Sequence, residues 1–416
     1  MARYSFIMVC YNNCDLTRQA LESLLESFDL NYKNLGVEVI IINNNSNDET
    51  FEVIQSIKAD YKGIIEIVLV NMEENMGYSI GLNVGLSKAT GKIITVLNND
   101  LIFSNGWFKG LTEALDRDSS LGVAVPYLSY ASGVQNVGVL LDSPQKIQAF
   151  ASKFTNEHKG SIINLNRAIG ACLTMKREVI DLIGGCDFWF GLGMYDDDDW
   201  CSRIRVSGYK IAVIGDSFVY HIGNATLSKN SENVTAAILS NCKKFMRKWN
   251  LKGNEYPEGL YTNRENSLEN TVYERKKHFF PVKYEDYVSV SQTENIKNQI
   301  NKCLLVADWT NFKSEWQRKL VQFLSNYNNS ELHLWIPPQY FDKKEVMDKI
   351  AETVQNLENK ENLLGSILKF NYDNISPDLL IVFMKQFDNV LTVENDYVNK
   401  FIVNLAKASS NHLIVK

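Results

Sequence analysis

Four aspartates stand in a row, Asp196–Asp199, in the stretch GMYDDDDW. Like charges side by side repel, so the run needs a reason. Carboxylates favour the positive end of a helix dipole and cap its free N–H groups, which would account for one or two of them. Crowded carboxylates also raise one another's pKa, which suits a general base working near neutral pH. A second cluster, Asn98–Asn99–Asp100, follows the strand-like IITVL. Amide and carboxylate together there would bind a hard cation and hydroxyls, or would simply form an Asx turn. The third feature is His221 in YHIGNATLS, near the hydroxyls of Thr226 and Ser228. Imidazole with the Asp100 carboxylate would suit Mn2+, which accepts mixed nitrogen and oxygen ligands.

These side chains need a scaffold. SFIMVC (5–10), VEVIIINNN (37–45), IIEIVLVNM (64–72) and GKIITVLNND (91–100) read as strands. Helices are expected at 15–26, where Leu16, Ala20, Leu21, Leu24 and Leu25 share a face, and at 75–89. Another should start at Ser46, whose spacing to Glu49 is that of a capping box. Such alternation predicts an α/β fold with an open, mainly parallel sheet. Ligands bind such sheets beyond the carboxyl ends of the strands. Here those ends carry Cys10–Tyr11–Asn12, Asn43–Asn44–Asn45 and Asn98–Asn99–Asp100. Within the aspartate helix, Asp199 would pair with Arg203 one turn on, and Asp198 would face solvent. Trp200, Cys201 and Ile204 would face the core, and Gly208 would stop the helix.

Five segments, in order, resemble family-2 glycosyltransferases of the GT-A fold, a Rossmann-like plan. SFIMVCYNNCDLTRQALESLL resembles that family's opening strand, turn and helix. IINNNSNDET resembles its nucleotide-binding turn, and ENMGYSIGLNVGLSKATGKIITVLNND its NxGxxxxxNxGxxxAxGxxxxxLNND run. GMYDDDDWCSRIRVSGYKI resembles its xxxEDxDxxxRxxxxGYKI segment, and YHIGNATLS its closing histidine segment. The resemblance implies roles. Cys10 and Tyr11 would flank the uracil or thymine ring, and Asn43 would hydrogen-bond the base. Family members usually carry an acid where Asn43 stands. Asn75, Gly77 and Asn83 would lie along the nucleotide and donor sugar, and Asn98 or Asn99 would contact ribose or sugar. Asp100, with His221, would hold Mn2+ or Mg2+ on the diphosphate of a nucleoside-diphosphate sugar. Asp196 and Asp197 match the Glu-Asp pair, with Asp197 the base of an inverting transfer. Trp189 and Phe190 precede that pair, in the acceptor-side region; they would stack on the sugar of a glycan or glycosylated-protein acceptor, or anchor their loop.

From about residue 230 the pattern changes. A helix is expected at 231–249, with Lys243, Lys244 and Arg247 as a solvated face and Phe245 and Trp249 inward. The expected domains are therefore 1–230, an irregular connector at 231–300, and a smaller α/β domain at 301–416. That last part shows no Gly-rich phosphate loop and no clustered acid–base pair. By analogy, chains pairing a family-2 domain with such an addition look like bacterial enzymes that decorate surface adhesins or wall polymers. With 416 residues and a net charge of −6, the chain has no general basic surface for nucleic acid or anionic membrane. No apolar run reaches the roughly 18 residues of a membrane span. The seven scattered cysteines fit reduced thiols in a cytoplasm. Oligomeric state and donor sugar are not readable. Two other functions compete: a non-catalytic nucleotide-sugar- or glycan-binding scaffold, motivated by Asn43 and Asn98 in place of acids, and a nucleotidyltransferase. The latter would need a Gly-rich, basic loop, and Val9–Asn13 has neither Gly nor Lys.

Overall fold

A computed structural model describes residues 3–28, 36–223, 231–251, 268, 271–282, 302–311, 313–327, 329–358, 366–408 and 413–415. The chain divides into two compact units. The first holds residues up to Cys186, Asp196–Ser231 and the described residues of 257–282. The second holds Asp187–Tyr195, the described residues of 232–256 and those after 283. The expected connector at 231–300 therefore divides between the units rather than forming a third part.

The first unit is built on a nine-stranded sheet. Its strands are β1 (Tyr4–Cys10), β2 (Val37–Asn43), β3 (Glu66–Asn71), β4 (Ile93–Leu97), β5 (Leu101–Phe103), β6 (Leu121–Leu128), β7 (Ile162–Leu165), β8 (Cys172–Lys176) and β9 (Lys210–His221). The order is β3-β2-β1-β4-β8-β6-β9-β5, with β7 also paired to β9. The β3-β2-β1-β4 block is parallel, while β8 joins β4 antiparallel. All seven residues of β1 and of β2 are buried, as in strands covered on both faces, and the two polar interruptions pair, Ser5 Oγ donating to Glu38 Oε1 at 2.5 Å.

Helices α1 (Cys14–Glu26), α2 (Thr50–Asp60) and α3 (Tyr78–Lys88) follow the first three strands. Helix α1 turns Ala20, Leu21, Leu24 and Leu25 inward, as its periodicity predicts. Its start is held from outside: Cys14 N–H donates to Asp48 Oδ2 at 3.1 Å. The expected capping box does not form. Ser46 Oγ instead accepts from Asn12 N–H at 2.9 Å, and Asp48 Oδ1 takes the Thr50 N–H at 3.1 Å. The turns after β1 and β2 are thereby stitched together. Helix α3 lies so close to β1 that a Cβ on Gly85 would sit 2.3 Å from Ile7 Cγ2. Only glycine permits that approach.

Helices α4 (Trp107–Arg117), α5 (Pro144–Glu157) and α6 (Arg177–Ile183) complete the packing, and α7 (Asp196–Val206) carries the aspartates. Gly208 ends the α7 turn at φ 94°. The first unit continues into the helical turn α9 (Arg275–His278) and a bridge between Gly184 and Phe280.

The second unit contains α8 (Ser231–Lys248) and a five-stranded sheet of β10 (Lys302–Leu305), β11 (Glu331–Trp335), β12 (Ile367–Asn371), β13 (Asn389–Leu391) and β14 (Leu413–Val415). The order is β12-β11-β10-β13-β14, and every pair is parallel. Helices α10 (Trp316–Asn326), α11 (Lys343–Glu358), α12 (Leu380–Met384) and α13 (Tyr397–Ala408) connect them. Phe245 and Trp249 are buried as expected, but Lys244 is not on a solvated face. Its ammonium is buried, 2.7 Å from Asp308 Oδ2 and 2.6 Å from the Trp189 carbonyl. A buried ammonium is tolerated only when so paired.

Candidate active site at the strand ends

Strand order in the first unit reverses between β1 and β4, and the polar residues collect beyond the carboxyl ends of those strands. Asp100 precedes β5, whose Leu101 pairs with His221 across the antiparallel ladder. That register brings His221 Nε2 to 3.3 Å from Asp100 Oδ1. The Oδ1 atom is buried and has no aligned hydrogen-bond donor. His221 Nδ1 lies 2.8 Å from the Tyr130 carbonyl. A carbonyl can only accept, so Nδ1 carries the proton in the neutral ring and Nε2 presents its lone pair toward Asp100. Burial alone would lower the histidine pKa, but the Asp100 carboxylate and the Tyr130 carbonyl raise it above its ordinary value. An orphaned buried carboxylate oxygen beside a tautomerically fixed imidazole fits a divalent cation better than a plain Asx turn. Among the described residues no third His, Cys, Asp or Glu joins them, so further ligands would come from a bound molecule or water. Thr226 and Ser228 lie outside the described residues.

The aspartates reach the same strand ends through a short relay. Strand β8 pairs Cys172 with Leu97, and Asn98 N–H donates to the Ala171 carbonyl at 2.9 Å. One residue back, Gly170 N–H donates to Asp197 Oδ2 at 3.0 Å. A Cβ on Gly170 would lie 3.1 Å from Asp197 Cβ, so glycine keeps that approach open. Asp197 is the partly exposed member of the run, with its side chain 18% accessible. Its Oδ2 also lies 3.5 Å from Arg167.

The other three aspartates are buried. Contrary to expectation, Asp198 does not face solvent; its carboxylate takes the Arg167 guanidinium. Asp199 pairs with Arg203 at 2.8 Å as predicted, with both side chains fully buried. Arg203 also donates to the Ile183 and Gly185 carbonyls at 2.9 and 2.8 Å, and stacks over Phe280. Burial, and then the charge of Asp197, push the Asp196 carboxyl up to about 8. Asp196 therefore holds a proton at neutral pH. Tyr78, at the start of α3, is raised well above its usual range by burial and by the charges of Asp196, Asp197 and Asp100. It stays neutral, within electrostatic reach of both carboxylate groups. The sequence reading missed Tyr78, although its place directly after Gly77 in the NxG turn marked it.

The remaining expected site residues separate into near and remote. Tyr11 is half-buried at the end of β1, but Cys10 is fully buried in the core, where burial pushes its thiol up to about 12. Cys10 cannot offer its side chain to a base ring. Asn43 is buried, donating to Asn71 Oδ1 at 2.6 Å and accepting from Ser46 N–H at 3.2 Å. Its neighbour Asn44 clamps the next turn, accepting from Met76 N–H and donating to the Gly77 carbonyl, both at 3.0 Å. Asn75 closes that turn by accepting from Gly77 N–H at 2.9 Å. Asn83 uses both ends of its amide on the backbone of Cys186, at 2.8 and 2.7 Å, and is a structural clamp. Asn99 donates to Thr17 Oγ1 at 2.9 Å and ties β4 to α1. Trp189 and Phe190 belong to the second unit and are buried. Tyr340 stacks on Trp189 with ring centroids 5.1 Å apart, and Phe341 and Trp335 meet it edge-on. Of the two roles open to Trp189, this packing is the anchoring one. A cavity of about 540 Å3 opens beyond β1 and β2, lined by Asn12–Leu16 and by Asn47 and Asp48.

The candidate cation site and the carboxylate run thus both meet the carboxyl ends of the parallel strands, the general ligand position of open α/β sheets. The sequence itself adds a likeness: residues 5–183 match the glycosyl transferase family 2 model. A protein of Sinorhizobium fredii, y4gI, is 23% identical over 231 residues, covering 53% of this chain and 24% of its own length. Poly-beta-1,6-N-acetyl-D-glucosamine synthase of Staphylococcus aureus is 30% identical over 118 residues, covering 28% of this chain and 26% of its own. The chain thus spans about a quarter of the length of these curated relatives. Solved structures with similarity include a Pyrobaculum calidifontis mannosyltransferase in complex with GDP-Man and Mn2+. It is 18% identical, with TM-score 0.44, covering 62% of this chain and 67% of that one. S. aureus TarS 1–349 in complex with UDP-GlcNAc is 14% identical, with TM-score 0.41, covering 67% and 78%. Among the described residues no helix is long and apolar enough to cross a membrane.

Proposed function

We propose that the first unit transfers a hexose from a nucleoside-diphosphate sugar, a UDP-sugar by preference, to a hydroxyl of a glycan or glycoprotein, with inversion. One observation carries the reading: the 170–172 segment links Asp197 to the strand end that bears Asp100 and His221. An inverting transfer is a single displacement at the anomeric carbon, so it needs a base on one side of the sugar and charge neutralisation on the other. Asp197 is the base. It is the accessible carboxylate of the run, held by the Gly170 N–H. Asp196 stays protonated and donates to the acceptor or to Asp197, since like carboxylates at such proximity do not both ionise. Asp100 and His221 would hold Mn2+ or Mg2+, which when bound neutralises charge on the leaving diphosphate. The cavity beyond β1 and β2 is of a size that takes a nucleoside.

The test is a panel of nucleotide sugars incubated with the full chain and Mn2+, with hydrolysis and transfer followed by released nucleoside diphosphate. Turnover is expected with one sugar class, lost on chelation and lost in Asp197→Asn with nucleotide binding retained. Full activity in Asp197→Asn removes the base assignment. Absence of turnover with every donor, alongside intact nucleotide-sugar binding, replaces the enzyme with a binding scaffold.

A further inference from the structure

The second unit has a switch point of its own. Its five parallel strands are laid down from β10 through β11 to β12, and then from β13 to β14 on the other side of β10. The direction of building therefore reverses between β10 and β13. The crevice beyond the carboxyl ends at such a reversal is the general ligand position of open parallel sheets. A cavity of about 90 Å3 lies there. Asp308, Asn311 and Lys313 enter it from the segment after β10, and Asn395, Tyr397 and Lys400 from the segment after β13.

The chemistry of these walls is uneven. Asp308 is already engaged: it accepts from Ser240 Oγ at 2.9 Å and from the buried Lys244 ammonium at 2.7 Å. Asp396, fully buried behind it, accepts from Asp308 N–H at 2.7 Å, Ser314 Oγ at 2.6 Å and Asn399 N–H at 2.8 Å. The carboxylates thus organise the floor, with Lys244 balancing Asp308. Lys313 and Lys400 bring the cations among the lining residues; Asn311 Oδ1 accepts from Lys313 N–H at 2.9 Å, and Asn395 donates to Glu315 Oε1 at 3.2 Å. Lys400 also lies 5.3 Å from the Tyr397 ring centroid, which holds its stem at the mouth. A single water needs only about 10–15 Å3 of such cavity space, so the cavity has room for several waters or for a tetrahedral oxyanion.

We propose that the second unit binds the phosphate group of a phosphorylated small molecule in this crevice, through Lys313 and Lys400. All of its lining residues belong to the second unit, so it does not depend on the transferase reading.

Isothermal titration of the full chain with inorganic phosphate, glucose 1-phosphate and glucose tests it, using wild type, Lys313→Ala/Lys400→Ala, Lys313→Arg/Lys400→Arg and Asp100→Asn. Phosphate binding is expected in wild type. It should weaken at least about tenfold in the double alanine variant, and persist in the double arginine variant and in Asp100→Asn. Tighter binding of glucose 1-phosphate than of inorganic phosphate assigns a phosphorylated sugar; equal binding assigns the free anion. Phosphate binding unchanged by the double alanine substitution overturns the proposal, as does binding of glucose alone, or no binding of any probe at millimolar concentration. Circular dichroism of the alanine variant checks that it folds. If it does not, failure of the folded arginine variant to bind phosphate overturns the proposal equally.

Discussion

Replacing Arg203 by methionine separates the structural half of the aspartate run from its chemical half. Arg203 and Asp199 are both fully buried, 2.8 Å apart. Removing one partner of such a pair leaves an uncompensated buried charge and costs about 3–5 kcal/mol. The carbonyls of Ile183 and Gly185 lose their donors as well, each a further ~1–3 kcal/mol before relaxation. These terms overlap, so a net loss of about 4 kcal/mol is the working figure, set against a typical domain stability of about 5–15 kcal/mol. Urea unfolding followed by circular dichroism should show the first unit's midpoint falling steeply. The Asp199→Asn/Arg203→Met pair should recover much of the loss, because no charge is then stranded. Asp197→Asn should behave in the opposite way. That carboxylate is partly exposed; asparagine keeps an oxygen acceptor there, and Arg167 keeps its pair with Asp198, so the midpoint should move by only about 1 kcal/mol while turnover disappears. An Arg203→Met protein within about 1 kcal/mol of wild type would refute the reasoning, as the pair would then be dispensable.

Four further outcomes are expected. His221→Ala should weaken Mn2+ binding, read by electron paramagnetic resonance, at least about tenfold, since one of the two candidate ligands is lost. The Asp196 carboxyl is held at about 8 in the folded chain, against about 3.9 unfolded. The folded state keeps a proton that the unfolded chain releases, so this group makes stability fall as pH rises from about 4 to 8; Asp196→Asn should flatten that slope in melting midpoints. Asn241→Leu should destabilise the second unit by about 2–4 kcal/mol in urea. Its amide donates to the Phe190, Gly193 and Met194 carbonyls at 2.8, 2.7 and 3.1 Å, across a loop where Met194 and Tyr195 are left-handed at φ 71° and 65°. Ending the chain at residue 230 should leave the first unit markedly less resistant to proteolysis, because the Phe280 carbonyl that accepts from Gly185 N–H at 2.8 Å is removed.

The parallel core was readable because each of its strands is an apolar run with a polar end, and each helix between them keeps a strict face. Gly85 and the NxG turn were readable for the same reason: close approach leaves a compositional mark. The antiparallel strands were less so. Strand β7 exposes Ile162 and Ile163 and gives no alternating signal. The buried ion pairs were half readable. Asp199 with Arg203 follows helical spacing, while Asp198 with Arg167 spans 31 residues and obeys no local period. Lys244 misled for the mirror reason: a lysine on an amphipathic helix predicts water, and only the distant Asp308 reverses that. Asn83 and Asn43 have the residue type a ligand would want, but the backbone of Cys186 and the side chain of Asn71 claim their amides first.

The chain changes unit after residues 186, 195, 231, 256 and 282. During synthesis the sheet of the first unit is complete once β9 has emerged, yet the segment carrying Phe280 is still to come. The nine residues that lead into the aspartate helix wait longer still, since the sheet of their own unit begins at Lys302 and ends at Val415. The first unit can therefore close only once residue 282 has emerged, and the second only once β14 has followed. A stop codon anywhere before residue 282 removes part of both units at once, whereas a later one spares the first.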